Sequence, residues 1–426
     1  MSFQQGLSGL NASSRALDAI GNNIANSGTV GFKGANAQFS DIYAASLNGT
    51  GASQVGIGTN VSGVAQLFTQ GNLTTTNNPL DLAINGGGFY RVSDLPGTSA
   101  GTVSYTRNGQ FLINKDGYVV NSAGLFLTGL QADPVTGIVP DSGQPGAIRM
   151  DNSLINPNAT TESEIGINLD SRKGVPTTAV FDPTDPLSYT WTTTQPVYDS
   201  LGNPHNFQLF FVKTATANEW QMYTQLDGDP ATLNDPTVNP TATGPVVLNF
   251  NSMGGLTTPQ PLTLWPATGY PMAATTGANA LLFDVDLTGS TQYGDESGLN
   301  AMIQDGYTSG RLSGVAVSAD GTIQGVYSNG RTRDMGRIVL ASFQNPNGLQ
   351  NMGGNLWRET ADSGQPITGV PGQGNFGVIQ SATVEDSNVD LTAELVDMIV
   401  QQRAYQANAQ TIKTQDQILQ TLVNLR

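Results

Sequence analysis

The sequence predicts a multi-domain protein that is mainly β, with coiled-coil-like α-helices at its two termini and with domains nested one inside another. Three observations lead to this prediction. The chain has 426 residues, more than one compact domain usually holds. Its 51 glycines and 22 prolines favour turns and short strands over helical bundles. At both ends of the chain, apolar residues recur at seven-residue intervals.

The N-terminal element is predicted to be an amphipathic helix. Its apolar residues draw a narrow seam along one face, and the opposite face carries Gln, Ser, Asn and Arg. A seam this narrow is typical of a helix that packs against another helix. The seam consists of Phe3, Leu7, Leu10, Leu17 and Ile24.

A longer helix is predicted at the C-terminus, because the stretch that ends at Arg426 contains neither Gly nor Pro. Either Asn388 or Ser387 can cap its start. Its seam consists of Leu391, Leu395, Met398, Tyr405, Ile412 and Leu419. Such helices are poorly stable alone, so we expect the two termini to pair and to serve assembly. The alternative is that each is an ordinary surface helix on a globular domain.

Two similar β-hairpin signals lie far apart in the chain. Asp116-Gly117 is flanked by alternating strands in the first half, and Asp320-Gly321 and Asn329-Gly330 take the same place in the second half. We therefore expect one inner β domain that is built from both halves. The stretch between them carries its own strand patterns and is expected to fold as an inserted outer all-β domain.

The chain is thus predicted to have four nested parts. The terminal parts are expected to pair with each other, and extended segments are expected to connect them to the inner β domain. The predicted parts are a terminal helical domain (1–27 with 387–426), connecting segments (28–76 with 361–386), an inner β domain (77–146 with 303–360) and an inserted outer β domain (147–302).

Composition excludes several classes of function. The formal net charge is −16, whereas a nucleic-acid-binding protein needs a basic face. The chain has no cysteine, which excludes disulfides and thiolate chemistry. No apolar run approaches the roughly 20 residues of a transmembrane helix, so no membrane insertion is expected. The N-terminus has neither a basic region nor a continuous apolar region, so no cleaved secretory signal is predicted.

The motifs that could carry enzymatic chemistry are weak. Gly372–Gly377 matches G-x-G-x-x-G, but Pro371 precedes it and a strand-like stretch follows, unlike a dinucleotide-binding turn. Gly86-Gly87-Gly88 lacks the Lys of a phosphate loop and is predicted to be a tight turn. His205 is the only histidine and is expected at the surface, without a nucleophile elbow beside it. No catalytic residue, metal site or cofactor is predicted.

The segment after the first helix resembles a known signature. Between Leu17 and Tyr43 the sequence is similar to the rod-type signature of the axial proteins of the bacterial flagellum, the rod-hook family. The C-terminal run from Ser387 to Arg426 is similar to that family's hook signature. One departure is Ser27-Gly28, where the family commonly has Val or Thr beside Asn. The matching motif positions are Asn22, Asn23, Ala25, Asn26, Gly31, Phe32 and Lys33.

The resemblance implies a function that composition and spacing do not. Hook-type members of this family polymerise into a curved, hollow tube, the extracellular hook of the flagellar basal body, which passes motor torque from rod to filament as a universal joint. The implied partners are further copies of the chain, the hook cap protein, the distal rod protein, the hook-filament junction protein and the flagellar export apparatus, which exports the subunit without a cleaved signal peptide. A distal rod subunit is the nearest alternative, and a secreted β-rich hydrolase is a remote one.

Overall fold

A computed structural model describes residues 2–43, 56–96, 101–134, 136–234, 244–264, 269–270 and 277–424. The chain divides into two compact units. The first unit comprises Met1–Asn152, Ser313–Val326 and Thr332–Arg426, and the second comprises Ser153–Leu312 and Tyr327–Arg331. The four-part division drawn from the sequence remains a prediction.

Within the described residues the chain forms two α-helices, one at each end. Helix α1 spans Ser2–Ala25 and helix α2 spans Leu391–Asn424. At a rise of 1.5 Å per residue, α2 is roughly 51 Å long. The predicted fold class, mainly β with helical termini, is confirmed.

The start of α2 differs from the prediction that Asn388 or Ser387 caps it. The carboxylate Oδ1 of Asp390 accepts hydrogen bonds from the backbone N–H groups of Thr392 at 2.8 Å and Ala393 at 3.3 Å. Asp390 therefore satisfies the first free N–H groups and caps the helix. The Asn388 side chain cannot do so, because it bonds to the backbone of Gly34 and of Leu67 instead.

The first third of the chain supplies ten strands among its described residues. An antiparallel hairpin of β1 and β2 follows α1. The strands are β1 (Ala35–Tyr43), β2 (Gly56–Gln66), β3 (Leu73–Thr75), β4 (Leu82–Asn85), β5 (Phe89–Ser93), β6 (Val103–Thr106), β7 (Phe111–Ile113), β8 (Val119–Asn121), β9 (Phe126–Gln131) and β10 (Gly146–Ala147). The predicted turn at Asp116-Gly117 is confirmed, because it joins β7 to β8 and Gly117 has a φ of 83°.

The middle of the chain forms most of the second unit. Its described strands are β11 (Glu162–Asn168), β12 (Trp191–Tyr198), β13 (Pro204–Lys213), β14 (Glu219–Leu226), β15 (Val246–Asn249), β16 (Leu262–Thr263), β17 (Asp284–Asp286) and β18 (Gly298–Gln304). They form two sheets, in the orders β16-β17-β11-β18 and β12-β13-β14-β15. Alternate residues of β13, such as Phe207, Leu209 and Phe211, are buried in one core with Trp220.

Most of the last part of the chain belongs to the first unit. Its described strands are β19 (Leu312–Val317), β20 (Thr322–Tyr327), β21 (Thr332–Ile338), β22 (Leu340–Ser342), β23 (Gln350–Gly353), β24 (Leu356–Arg358), β25 (Ile367–Gly369), β26 (Val378–Ser381) and β27 (Thr383–Glu385). The predicted turns at Asp320-Gly321 and Asn329-Gly330 are confirmed, because they precede β20 and β21, and Gly321 and Gly330 have φ angles of 80° and 76°.

The inner sheet joins both halves of the chain, as predicted. In the described residues its central order is β19-β20-β21-β9-β5-β6-β24-β23. The pairs β21–β9, β22–β5 and β24–β6 each unite a late strand with an early one. Aromatic rings pack edge to face beneath it, with ring centroids 5.6 Å apart for Phe89 and Trp357 and 4.7 Å apart for Tyr105 and Phe343.

Candidate assembly surface

Helices α1 and α2 pair with each other in antiparallel orientation. Near the start of α1, Gly6 lies against Ile412 and Gly9 against Asn408. Near its end, the Asn23 side chain donates a hydrogen bond of 2.8 Å to the Glu394 carboxylate. Rising numbers on α1 thus meet falling numbers on α2. The predicted pairing of the two termini is confirmed.

Small residues allow this close approach. A Cβ atom added at Gly6 would lie 3.1 Å from Cγ1 of Ile412, and one added at Gly9 would lie 2.7 Å from the side-chain amide of Asn408. The fully buried positions of α1 are likewise small or polar, and include Ala12, Ser13, Ala16 and Asn23. Near the start of α1, the two helices therefore meet through glycines.

The apolar seam of α1 lies elsewhere. Phe3 and Leu7 are 45% and 44% exposed, and Leu10, Leu17 and Ile24 are half-buried. On α2, Met398 and Ile412 are half-buried, whereas the other predicted seam residues, Leu391, Leu395, Tyr405 and Leu419, are exposed. In the single chain the seams thus do not form one closed apolar interface. Their role in assembly remains a prediction.

Helix α2 exposes apolar residues beyond the predicted seam. Val396, Ile399 and Val400 are each more than half exposed. The seven-residue series missed them because they lie on other faces of the helix. Within the described part of the chain, neither helix combines the length and the apolarity that crossing a membrane requires. Apolar surface of this extent typically binds another protein.

The asparagines of the motif stabilise the end of α1 and the turn that follows it. The Asn23 side chain bonds to both backbone groups of Ala35, each at 2.9 Å, in addition to its bond to Glu394. The Asn26 side chain donates to the backbone and to the side-chain oxygen of Asn22. Ala25 is exposed and is the last residue of α1. Asn23 therefore connects α1, α2 and the hairpin.

Gly31 occupies a position that only glycine fits. Its φ is 71°, and an added Cβ would lie 2.6 Å from the backbone nitrogen of Asn108. Its own N–H donates to the backbone carbonyl of Glu385 at 2.7 Å. The next residue, Phe32, is half-buried, and its N–H bonds to the carbonyl of Thr29. The turn after α1 thus packs directly against the segment that leads into α2.

Three buried charged side chains meet at this turn, and we call Lys33, Arg107 and Glu385 the anchor cluster. Oε1 of Glu385 lies 2.6 Å from Nζ of Lys33, and Oε2 lies 2.6 Å from Nε of Arg107. Oε1 also accepts the N–H of Gly71 at 2.9 Å. The side chains of Lys33 and Glu385 are 2% and 0% exposed.

A glycine loop receives the guanidinium of Arg107. Arg107 donates to the carbonyls of Ile84 at 3.1 Å, of Gly86 at 2.5 Å and of Gly88. Gly86 and Gly88 have φ angles of 119° and 121°, in the region that favours glycine. The run Gly86-Gly87-Gly88 is therefore more than a tight turn, because its carbonyls bind a buried cation.

The anchor cluster makes the first unit sensitive to acid. Burial alone would raise the pKa of the Glu385 carboxyl, yet the Arg107 charge and the hydrogen bond from Lys33 outweigh burial and lower that pKa. A carboxyl with a lowered folded-state pKa stabilises the fold above its unfolded pKa, and this contribution is lost as the pH falls through the folded pKa. The Glu385 carboxylate therefore contributes to the stability of the first unit at neutral pH, and this contribution is lost in acid as the pH falls through its lowered pKa.

Comparison with known protein families gives matches in several parts of the chain. Four family models match: "Flagella basal body rod protein" over residues 3–33, "Flagellar hook protein FlgE/F/G D1 domain" over 83–169, "Flagellar basal body protein FlaE D2 domain" over 168–307 and "Flagellar basal body rod FlgEFG protein C-terminal" over 380–425. The flagellar hook protein FlgE of Salmonella typhimurium is 42% identical over 100% of both chains.

The chain belongs to the flagellar hook protein family. The hook protein of Escherichia coli is also 42% identical over 100% of both chains, and that of Borreliella burgdorferi is 34% identical over 100% of this chain and 99% of its own. Among solved structures, the Helicobacter pylori hook protein FlgE2 matches with a TM-score of 0.49 and 14% identity over 72% of this chain and 99% of its own.

The surroundings of His205, the only histidine of the sequence, differ from those predicted. His205 is buried, and the prediction of a surface position was wrong. Its Nδ1 lies 2.5 Å from a carboxylate oxygen of Asp227, and its Nε2 lies 3.4 Å from one of Asp199. Carboxylates face both ring nitrogens, so the ring is not placed to act as a base for a serine. The described residues also contain no group of three or more His, Asp or Glu side chains that could hold a metal.

Sequence reasoning missed two of the three residues of the anchor cluster. Lys33 is one of the matching positions of the rod-type signature, whereas the sequence pattern does not single out Arg107 or Glu385. Neither lies in the segments described above as similar to the family: Arg107 precedes the hairpin at Asp116-Gly117, and Glu385 lies two residues before the run from Ser387 to Arg426. The available signal was a charged residue inside a short strand pattern, which is unusual at a buried position.

Proposed function

We propose that this chain is the subunit that polymerises into the curved, hollow flagellar hook and passes motor torque from rod to filament as a universal joint. The observation that carries the proposal is the apolar surface left exposed on the paired terminal helices, of which Ile399, 51% exposed, is representative. Identical subunits that bury such a surface head to tail, without closing a ring, form a helical tube.

The antiparallel helix pair suits this role. Its inner contact is made by small residues, so its larger apolar residues remain available to neighbouring copies. The anchor cluster gives the pair a fixed attachment to the inner sheet, because Arg107 follows β6 and Glu385 ends β27. Force on the helices would therefore be passed to the β structure through buried charges.

The proposed partners and location follow from hook-family membership. Below the hook, the subunit would contact the distal rod protein, and at its growing end the hook cap protein and later the hook-filament junction protein. The subunit would reach this extracellular position through the flagellar export apparatus, without a cleaved signal peptide.

A pair of matched substitutions tests the proposal. Ile399→Glu places a charge on the exposed surface of α2, and Ile367→Glu places one on β25, where Ile367 is 62% exposed. Both variants should fold, because neither side chain is buried. Ile399→Glu should raise the concentration needed for tube formation at least about tenfold, whereas Ile367→Glu should change it little.

Electron microscopy of the polymerised protein gives the readout. Curved tubes from the wild-type chain support a hook subunit, and straight, stiff tubes would indicate a distal rod subunit instead. Deletion of Leu391–Arg426 should abolish tubes while the β structure remains folded. Tube formation by the deleted chain, or equal effects of the two substitutions, would contradict assembly through the terminal helices.

A further inference from the structure

The anchor cluster joins three distant parts of the chain and carries an unequal number of charges. Lys33 and Arg107 lie 352 and 278 residues before Glu385. With both cations and the carboxylate ionised, the buried cluster has one positive charge in excess. Without Glu385, two buried cations would face each other with neutral oxygens only: the carbonyl of Thr69 at Lys33 and three carbonyls at Arg107.

The backbone around the cluster depends on the same C-terminal segment. The N–H of Gly31 bonds to the carbonyl of Glu385, and the N–H of Gly34 bonds to the Asn388 side chain at 2.8 Å. The N–H of Gly71 bonds to the Glu385 carboxylate, and the N–H of Asp386 bonds to the carbonyl of Asn72. We call residues 28–34, 67–72 and 383–390 the base of the terminal helices.

We propose that the Glu385 carboxylate controls closure of this base, by which we mean formation of the hydrogen bonds just described. The base becomes ordered only when the C-terminal segment places Glu385 between Lys33 and Arg107. The inference rests on the proposed function, since assembly requires helices held in a fixed orientation. Burying two like charges without a counter-charge is strongly unfavourable. Residues 28–34 and 67–72 of the base therefore cannot close without the segment 383–390.

This arrangement sets the order of events. Any process that delivers the chain from its N-terminus exposes Lys33 and Arg107 long before Glu385. The base then remains open, and α1 is not fixed to the inner sheet, until the last segment arrives. Helices α1 and α2 therefore become attached to the inner sheet together, which prevents a half-formed subunit from presenting α1 in its assembly orientation.

Full-length variants test the charge requirement. Glu385→Gln should reduce the ratio of closed to open base by about 10²–10³-fold, because it leaves two unpaired buried cations. Lys33→Met should keep the base closed, because Arg107 and Glu385 then form a neutral pair. The control is Asp386→Asn, which removes the charge of a neighbouring carboxylate that accepts a hydrogen bond from the Thr74 hydroxyl; it should change the ratio by no more than about tenfold.

Hydrogen exchange at the amides of Gly31 and Gly71 measures closure directly, since both N–H groups bond to Glu385. The deciding variant is Lys33→Met with Glu385→Gln, which restores the wild-type excess of one charge and should recover closure at least about tenfold relative to Glu385→Gln alone. No recovery, or a loss in Lys33→Met as large as in Glu385→Gln, would overturn the proposal, even if Glu385→Gln unfolds the first unit.

Pulse-labelled refolding of the wild-type chain tests the order of closure. Residues 30–34 and 383–386 should gain protection in one step, and earlier protection of 30–34 would overturn the proposal. Tube formation is scored separately in the same variants. If the base behaves as expected but the wild-type chain forms no tubes, the proposed function fails; if tubes form and Glu385→Gln closes normally, only the present inference fails.

Discussion

Gly31 lies where the chain leaves the turn after α1 and approaches both the inner sheet and the segment before α2. Gly31 has a positive φ, lies close to the Asn108 backbone and donates a hydrogen bond to the carbonyl of Glu385. A side chain does not fit there without strain. Together with Lys33, two residues later, it fixes the position of the base relative to the buried carboxylate.

A substitution of Gly31 isolates this backbone requirement. Gly31→Ala should lower the free energy of unfolding of the first unit by about 1–3 kcal/mol, because alanine adds a clash to an unfavourable φ. Gly28→Ala is the control in the same turn, since an added Cβ there meets nothing within 4 Å. Chemical denaturation, monitored by hydrogen exchange, measures the free energy of unfolding of both variants. An equal loss of stability in Gly28→Ala would contradict the explanation.

At the scale of elements, the helix pair has two different surfaces, a contact between the helices and an exposed apolar surface. The sequence pattern does not distinguish them. Small residues such as Gly6 and Gly9 face the partner helix within the chain, and larger residues such as Phe3, Val396 and Ile399 remain exposed. Glycine normally weakens a helix, so its presence at the contact indicates that close approach outweighs helix propensity. The larger apolar residues thus remain exposed, where the proposed contacts between subunits would bury them.

Enlarging Gly6 and Gly9 should separate the helices. Gly6→Leu together with Gly9→Leu should destabilise the α1–α2 contact by about 1–3 kcal/mol through overpacking against Ile412 and Asn408. Gly21→Ala, the matched control on the same helix, should be neutral or stabilising by up to about 1 kcal/mol, since its added Cβ meets nothing within 4 Å. Exchange protection of α1 amides in the assembled tube gives the readout, and unchanged protection in the double variant would refute the contact.

At the scale of the whole molecule, each compact unit has a core of its own. The second unit packs Trp220 among residues of both its sheets, and the first unit packs Trp357 among the rings beneath the inner sheet. Both indoles are also hydrogen-bonded, to Gln292 at 2.8 Å and to Gln66 at 2.7 Å. Two separate cores favour two cooperative unfolding transitions.

The two tryptophans provide a matched pair of substitutions. Trp220→Ala and Trp357→Ala should each lower the stability of their own unit by about 3–5 kcal/mol, because each leaves a cavity and an unpaired partner group. Calorimetry should show one transition shifted in each variant, with the other unchanged. A single transition that shifts equally in both variants would show that the units unfold as one.

Local sequence patterns were most informative where a short stretch determines its own structure. The turns at Asp116-Gly117, Asp320-Gly321 and Asn329-Gly330 were predictable, because glycine at positive φ is a property of a few neighbouring residues. Pairing of the two halves into one sheet followed from the similarity of those hairpins. The predicted cap of α2 was wrong by a few residues. The Asn388 side chain forms hydrogen bonds to the backbone of residues far away in the sequence, and a local pattern does not reveal such bonds.

By itself, the sequence determined the mainly β class, the two terminal helices and the resemblance to the flagellar axial family. Each of these depends on periodicity, turn residues or motif residues that lie near one another in the sequence. Only the tertiary structure decided which helix faces pair, that His205 is buried, and that Lys33, Arg107 and Glu385 share one buried site. These features depend on contacts between residues hundreds of positions apart. Such contacts depend on packing and on the need to neutralise buried charge. A local sequence pattern cannot predict them.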